Sequence, residues 1–303
     1  MPTRSAIAVC AALLLATAAP AQAGWREDLG TFRIGMVAQP GAGQSVQGLS
    51  RIKETFSGLL SMPVEVFVAR DLAALIEAQA SGRIEYAVYP ATAYALAWRI
   101  CECVEPIAAP LGEDGTTGLT AVLVGRRGKA DSMSSLAGVR VAAPPAQNVA
   151  AGLLARSGMA TDGLDLTALG AVVVEAASAT DAESRFSDGS VDAVLGWEDY
   201  PVSAASTGFG STARLARSGA SPESLVVLWR SAPLRFGPHA VRTDLDPEAK
   251  RLLVPFLTGL RNVLPDVYDL LETGRGGGFA TVTHADYDVA VAMVDHASGG
   301  EGQ

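Results

Sequence analysis

PLGEDGTTGLTAVLVG, residues Pro110 to Gly125, decides how the chain is divided. One apolar run ends at Leu111, the polar and glycine-rich segment Gly112 to Gly118 follows, and a second apolar run begins at Leu119. So abrupt a change in composition marks a connection between packed units. On its N-terminal side, strands alternate with helices. Thr31 to Ala38 reads as a strand and Gln39 to Gln44 as a glycine-rich turn, with a helix from Ser45 to Leu60. Pro63 to Ala69 alternates as a second strand, Leu72 to Ala80 is a helix with Asp71 as N-cap, and Tyr86 to Tyr89 is a buried strand. Helix Ala91 to Ile100 and strand Val104 to Leu111 complete the first block.

Beyond the break the rhythm resumes with strands Leu119 to Gly125 and Val139 to Ala143, helix Asn148 to Arg156, strand Ala171 to Ala176, a helix near Asp181 to Phe186, and strand Val191 to Leu195. Strand Leu225 to Trp229 leads into a second break, Pro233 to Pro238. Strand His239 to Arg242, helix Pro247 to Leu260 with Asp246 as N-cap, a short helix Asp266 to Glu272, the loop Gly274 to Gly278 and helix Ala285 to Asp295 close the chain. The tail Ser298 to Gln303 is expected to be disordered. The two breaks predict that the chain starts one lobe (residues 24–115), builds a second (116–232) and returns to the first (233–303). Strand-helix alternation of this kind is the pattern of an α/β fold with mainly parallel sheets.

The first 23 residues are expected to lie outside that fold. Arg4, the apolar stretch Ala6 to Ala19 and the Ala21-Gln22-Ala23 triplet have the three parts of a cleavable export signal. Fourteen apolar residues are too few for a membrane-spanning helix, which needs roughly 20. Cys10 follows Val9 in mid-stretch rather than a small residue at its end, which argues against a lipoprotein. Cleavage would leave 280 residues and move the formal net charge from −9 to −10, unfavourable for nucleic acid or an anionic membrane. No later segment is long and apolar enough to insert into a membrane, and only Cys101 and Cys103 would remain, so the fold does not rest on a disulfide framework.

Five segments carry a likeness to a known family: FRIGMVAQPG (32–41), IEYAVYPATAYALA (84–97), SMSSLAGVRVAAP (132–144), VDAVLGWEDY (191–200) and LRFGPHAVRTDLDPEAKRLLVPFLTGL (234–260). Together they resemble the phosphate/phosphite/phosphonate-type solute-binding proteins of ABC transporters, of type II periplasmic-binding-protein topology. The resemblance implies two Rossmann-like lobes that are joined by a hinge and close on a small ligand. It also implies an ABC permease or a membrane sensor kinase as recipient, with neither catalysis nor a cofactor. A monomer is expected. Where the family carries a Ser-Thr-Ser type anion-binding turn, this chain has Pro145-Ala146-Gln147-Asn148, so amides stand in for hydroxyls.

In open α/β sheets ligands bind outside the carboxyl ends of the strands, where helix N-termini present unpaired N–H groups. Three turns qualify here: Gln39 to Gln44, Tyr89 to Thr92, and Gln147 to Asn148. The candidate ligand-binding residues are therefore Gln39, Tyr89, Thr92, Gln147 and Asn148, although Tyr89 could equally pack beneath the lobe and Thr92 and Asn148 serve only as caps. Trp197-Glu198-Asp199-Tyr200, read as a loop after a strand, adds Trp197 and Glu198; an aromatic beside carboxylates suits a cationic or hydroxylated ligand. The expected ligand is a small polar molecule, an oxyanion of the phosphonate kind.

Cys101 and Cys103 lie about 15 Å of helix away from the Tyr89–Thr92 turn. They offer either a local disulfide, free thiols or a thiophilic site. The last option resembles the periplasmic arsenite-binding sensors that signal to a histidine kinase. His239, His284 and His296 are too scattered for a metal motif, Gly41-Ala42-Gly43 lacks the third glycine of a dinucleotide fingerprint, and Gly274 to Gly278 reads as a flexible turn. No nucleophile elbow or carboxylate pair supports the remaining alternative, an exported enzyme on the same fold.

Overall fold

The computed structural model describes residues 24–38, 46–201 and 209–300. A short helix α1 (Trp25–Leu29) precedes β1 (Phe32–Val37), α2 (Leu49–Leu60), β2 (Val64–Ala69), α3 (Leu72–Ala80), β3 (Tyr86–Val88), α4 (Ala91–Cys101) and β4 (Val104–Pro110). The chain then crosses to β5 (Gly118–Arg126) and β6 (Arg140–Ala143), followed by a wide helical turn Val149–Leu153 that continues into α5 (Leu154–Thr161). Next come β7 (Val172–Glu175), α6 (Ala179–Ser187), β8 (Ala193–Tyr200), α7 (Ser211–Arg217), β9 (Leu225–Arg230) and β10 (Leu234–Arg235). The return consists of β11 (His239–Arg242), α8 (Pro247–Val263), α9 (Pro265–Leu271), β12 (Phe279–Ala280) and α10 (Asp288–Gly300).

These strands form two sheets, ordered β12-β4-β11-β3-β1-β2 and β10-β5-β8-β6-β7, with β9 also on β5. The expected excess of parallel pairing is corrected by the topology. β1 runs parallel to β2 and β3, and β6 to β7 and β8, whereas β11, β12 and every partner of β5 pair antiparallel. The reason lies in the connections: right-handed crossovers through a helix give parallel neighbours, while strands arriving from a remote part of the chain can insert in either direction.

Several boundaries also move. α2 starts at Leu49 because Gly48 is left-handed (φ 67°) and a Cβ there would lie 2.4 Å from Leu270 Cδ1, so the helix cannot extend back to Ser45. Asp71 and Asp246 cap as expected, accepting from the backbone N–H of Ala74 and Glu248 at 2.8 and 2.7 Å. Ser298 to Gly300 continue α10 instead of fraying, and the second break contains β10, which pairs with Leu119 and Gly118.

Three apolar clusters hold the layers together. Phe32, Phe56, Tyr86, Leu257 and Tyr268 fill one face of the first sheet beneath α2, α8 and α9. Val122, Phe186 and Leu215 fill the outer face of the second beneath α6 and α7. The third cluster joins both sheets, because α10 packs against α4 on one side and α5 on the other and contributes Ala290 and Met293 to it. Each large side chain so buried stabilises by about 1.5–3 kcal/mol, so α10 is a brace across the junction.

Candidate functional site

A cavity of 1010 Å³ opens between the two sheets. The second sheet's layer supplies Leu119, Asn148 to Ala150, Trp197, Asp199 and Phe209; the connections supply Gly112 to Asp114, Thr116 and Phe236; the first sheet's layer supplies Tyr268, Asp269 and Glu272 to Gly276. The walls therefore come from both sides of the chain crossing.

The Gly274–Gly278 loop, expected to be flexible, is fixed in place. Glu272 Oε1 accepts from the backbone N–H of Gly274 (2.7 Å) and Arg275 (3.0 Å), and the Tyr268 hydroxyl donates to the Arg275 carbonyl while accepting from Gly278 N–H at 3.1 Å. Leu111 and the loop exchange backbone bonds through Gly277 and Gly278 at 2.9 and 2.8 Å. A side chain at Gly277 would meet the Gly112 carbonyl oxygen at 2.1 Å, so only glycine permits this docking.

The pinned loop delivers Arg275 to the cleft. Its guanidinium lies 3.5 Å from the centre of the Phe236 ring, and none of the hydrogen bonds among the described residues uses it as donor. Burial lowers its pKa, a shift opposed by the charges of Glu272 and Asp199. A desolvated, pre-oriented guanidinium of this kind suits a bidentate oxyanion. Sequence reasoning missed Arg275 because a glycine-rich setting reads as mobile; the signal that could have found it is the only arginine within that loop.

On the opposite wall Asn148 caps the helical turn, with Oδ1 accepting from Ala151 N–H at 2.8 Å. Val149 and Ala150, the first residues of the turn, line the same cleft, and helix starts leave their N–H groups without an intrahelical partner. Trp197 lies under a cationic clamp: the Arg214 guanidinium sits 4.7 Å from its ring, Arg214 Nε donates to Glu183 at 2.8 Å, and Trp197 N–H donates to Ser211 Oγ at 3.0 Å. Asp199 is raised in pKa by burial first and by Asp114 and Glu198 second, with Arg275 and Arg214 opposing.

The structure thus brings Asn148 and Trp197 to one cavity, while Tyr89, Thr92, Gln147 and Glu198 do not line it. Tyr89 is 2% exposed, with its hydroxyl donating to the Leu75 carbonyl at 3.4 Å, and burial raises its phenol pKa strongly. Thr92 is half-buried in the first turn of α4 and Gln147 is exposed; neither lines the cavity. Glu198 turns away and accepts from Thr212 N–H at 2.8 Å, at the start of α7. Residues 197–200 belong to β8 rather than to a loop, and strand alternation therefore puts Trp197 and Asp199 on the cleft face with Glu198 behind. Gln39 lies outside the described residues.

Cys101 and Cys103 form a disulfide with Cα atoms 5.0 Å apart, and neither lines the cleft. His239 is buried against Phe279 (ring centres 4.5 Å apart) with Nδ1 on the Tyr86 hydroxyl, and burial depresses its pKa from 6.5 to about 3. Among the described residues no group of three or more His, Cys, Asp or Glu is placed to hold a metal ion, and no helix is long and apolar enough to cross a membrane.

A cleft between two mixed α/β layers defines the class of the type II periplasmic binding proteins. Residues 34–287 match the family described as ABC transporter, phosphonate, periplasmic substrate-binding protein, and the chain belongs to that family. Its members are exported solute-binding components of ABC transporters, which take small ligands to a permease rather than transform them. In structure the chain is similar to XAC2383 from Xanthomonas citri bound to chloride ion (TM-score 0.58, 15% identity, covering 89% of this chain and 99% of that one). The same protein bound to ATP gives a TM-score of 0.56 at 15% identity, covering 89% and 98%. Transferrin 1 from Manduca sexta shares the fold at a TM-score of 0.58 and 12% identity, over 88% of this chain but 46% of that one. At such identities the likeness concerns the fold. No curated protein matches the chain in sequence.

Proposed function

We propose that this chain captures a small phosphonate-like oxyanion in the cleft and delivers it, by closure of two lobes hinged near residues 112–117 and 233–238, to an ABC permease. The observation that carries the reading is Arg275, a half-buried guanidinium that donates no hydrogen bond among the described residues, lining the same cavity as Val149 and Ala150, which open the Val149–Leu153 turn. Arg275 and the amides of Val149 and Ala150 would hold the anionic group. Asp199 and Trp197 would face the rest of the ligand, which favours a molecule that also carries an amine or hydroxyl, such as an aminoalkylphosphonate.

Titration calorimetry against methylphosphonate, an aminoalkylphosphonate, phosphate, sulfate and a quaternary amine tests this. The aminoalkylphosphonate should bind most tightly, and the quaternary amine alone should bind weakly. Tight binding of the amine with no response to any oxyanion would overturn the reading. The metalloid-sensor alternative needs Cys101 and Cys103 in reduced form, and it places the ligand away from the cleft, which neither cysteine lines.

A further inference from the structure

The Cys101–Cys103 disulfide closes a very short loop, with a sequence separation of 2. A crosslink stabilises mainly by restricting the unfolded chain, and that restriction grows with loop length, so this bridge contributes little to holding the fold. It also stands at an end of α4 that is already complete. Glu102 terminates the helix in a left-handed conformation (φ 48°), with its N–H bonded to the Trp98 carbonyl at 2.6 Å. The stability of the fold therefore does not account for the bridge.

The surroundings of the two sulfurs differ. Cys103 Sγ has the guanidinium of Arg242 beside it, Nη1 lying 3.7 Å away. That guanidinium is held rigidly, by two bonds of 2.8 Å to the Asp244 carboxylate and one of 2.8 Å from Nη1 to the Gln79 carbonyl. Cys101 Sγ instead sits in the last turn of α4, 3.5 Å from the Ala97 carbonyl oxygen, at the negative end of the helix dipole. Its one favourable polar contact is the Cys103 N–H at 3.2 Å. The other charged groups around the pair are Arg99, in the last turn of α4 and bonded to Asp295; Glu102, which is exposed; and Glu85 and Asp244, which both act on Arg242. Both cysteines are half-buried at the edge of the core cluster they pack against, so each keeps part of its surface open to solvent.

We infer that this pair is a thiol–disulfide exchange site with a fixed polarity, Cys101 being the sulfur attacked and Cys103 the leaving thiolate. An incoming dithiol attacks Cys101 Sγ as its thiolate. The S–S bond breaks, its electron pair goes to Cys103 Sγ beside Arg242, and a mixed disulfide forms on Cys101. The second thiol of the reagent then displaces Cys101, which takes up a proton. The chain gains two electrons and two protons in all, and the dithiol leaves as a disulfide. The partner class is thus an exported dithiol protein or its disulfide form, and Arg242 is a positioning residue that favours one direction of attack.

The test uses the full processed chain, folded, in glutathione buffers, with alkylation and intact-mass readout. Reduction should proceed while the far-ultraviolet circular dichroism stays unchanged, and peptide mapping of the trapped mixed disulfide should place glutathione on Cys101. Arg242→Gln should slow reduction about fivefold, and Arg242→Lys should restore most of the rate. Should Arg242→Gln fail to fold, the mapping on the unaltered chain still decides. Glutathione found on Cys103, or a bridge that opens only when the chain unfolds, overturns the inference.

Discussion

Two arginines of the first sheet's layer differ in how their hydrogen-bonding capacity is used. Arg242 is committed, with a two-point bridge to Asp244 and a bond to the Gln79 carbonyl, and Asp244 keeps it charged by raising its pKa. Arg275 is comparably removed from water yet donates to nothing among the described residues, and burial lowers its pKa. Arg275 has a ring face and the nearby charges of Glu272 and Asp199 around it, but its N–H groups are not used as donors among the described residues. The difference is one of spare hydrogen-bonding capacity, which under the proposed function is what an incoming anion would use.

The largest expected effect follows from that contrast. Arg275→Gln removes one or two charge-assisted bonds to the ligand, each contributing about 1.5–3 kcal/mol, and should weaken oxyanion binding by about a hundredfold in calorimetry. Its thermal midpoint should change little, because the guanidinium makes no hydrogen bond among the described residues for the substitution to remove. A fall in midpoint with unchanged affinity would reverse the roles of the two arginines.

His239 sharpens the comparison from another side, as a buried base that discharges instead of pairing. In the fold its ring is neutral, while the unfolded ring takes up a proton near pH 6.5, so below that pH the unfolded state binds more protons. The associated stability is fully present above pH 6.5 and is lost as pH falls toward about 3. Denaturant titrations should show a loss of about 2 kcal/mol between pH 7 and pH 5, absent in His239→Gln when measured against its own pH 7 value.

Smaller effects should separate the two arginine neighbourhoods. Arg242→Gln should cost about 1 kcal/mol of stability, chiefly through the bond to the Gln79 carbonyl since Asp244 is largely exposed, and should leave ligand affinity unchanged. Tyr268→Phe loses the hydroxyl that bonds the Arg275 carbonyl and Gly278 N–H, and should weaken ligand binding about threefold to tenfold with little change in stability.

The elements that sequence shows well are those whose signals are local. Asp71 and Asp246 mark helix starts, apolar runs mark the central strands, and the Gly112–Gly118 change in composition marks the crossing. β10 and β12 have two residues each and thus no periodicity to read. β8 was cut short because Trp197 to Tyr200 looks polar, yet the alternation of its side chains is that of a strand with one face on the cleft. The site was legible on one wall only. Asn148 follows from the rule about strand ends and Trp197 from alternation along β8, whereas Arg275 depends on bonds from Tyr268, Glu272 and Leu111 that no local pattern reports. Tyr89 shows the converse, a good strand-end position whose side chain the core consumes.

A crystal structure of the chain with a bound aminoalkylphosphonate tests the central claim most directly. The account predicts its phosphonate oxygens within hydrogen-bonding distance of the Arg275 guanidinium and of the N–H groups at Val149 and Ala150, with its amine toward Asp199. A phosphonate lodged at the Tyr89–Thr92 turn, with Arg275 left facing water, would contradict it.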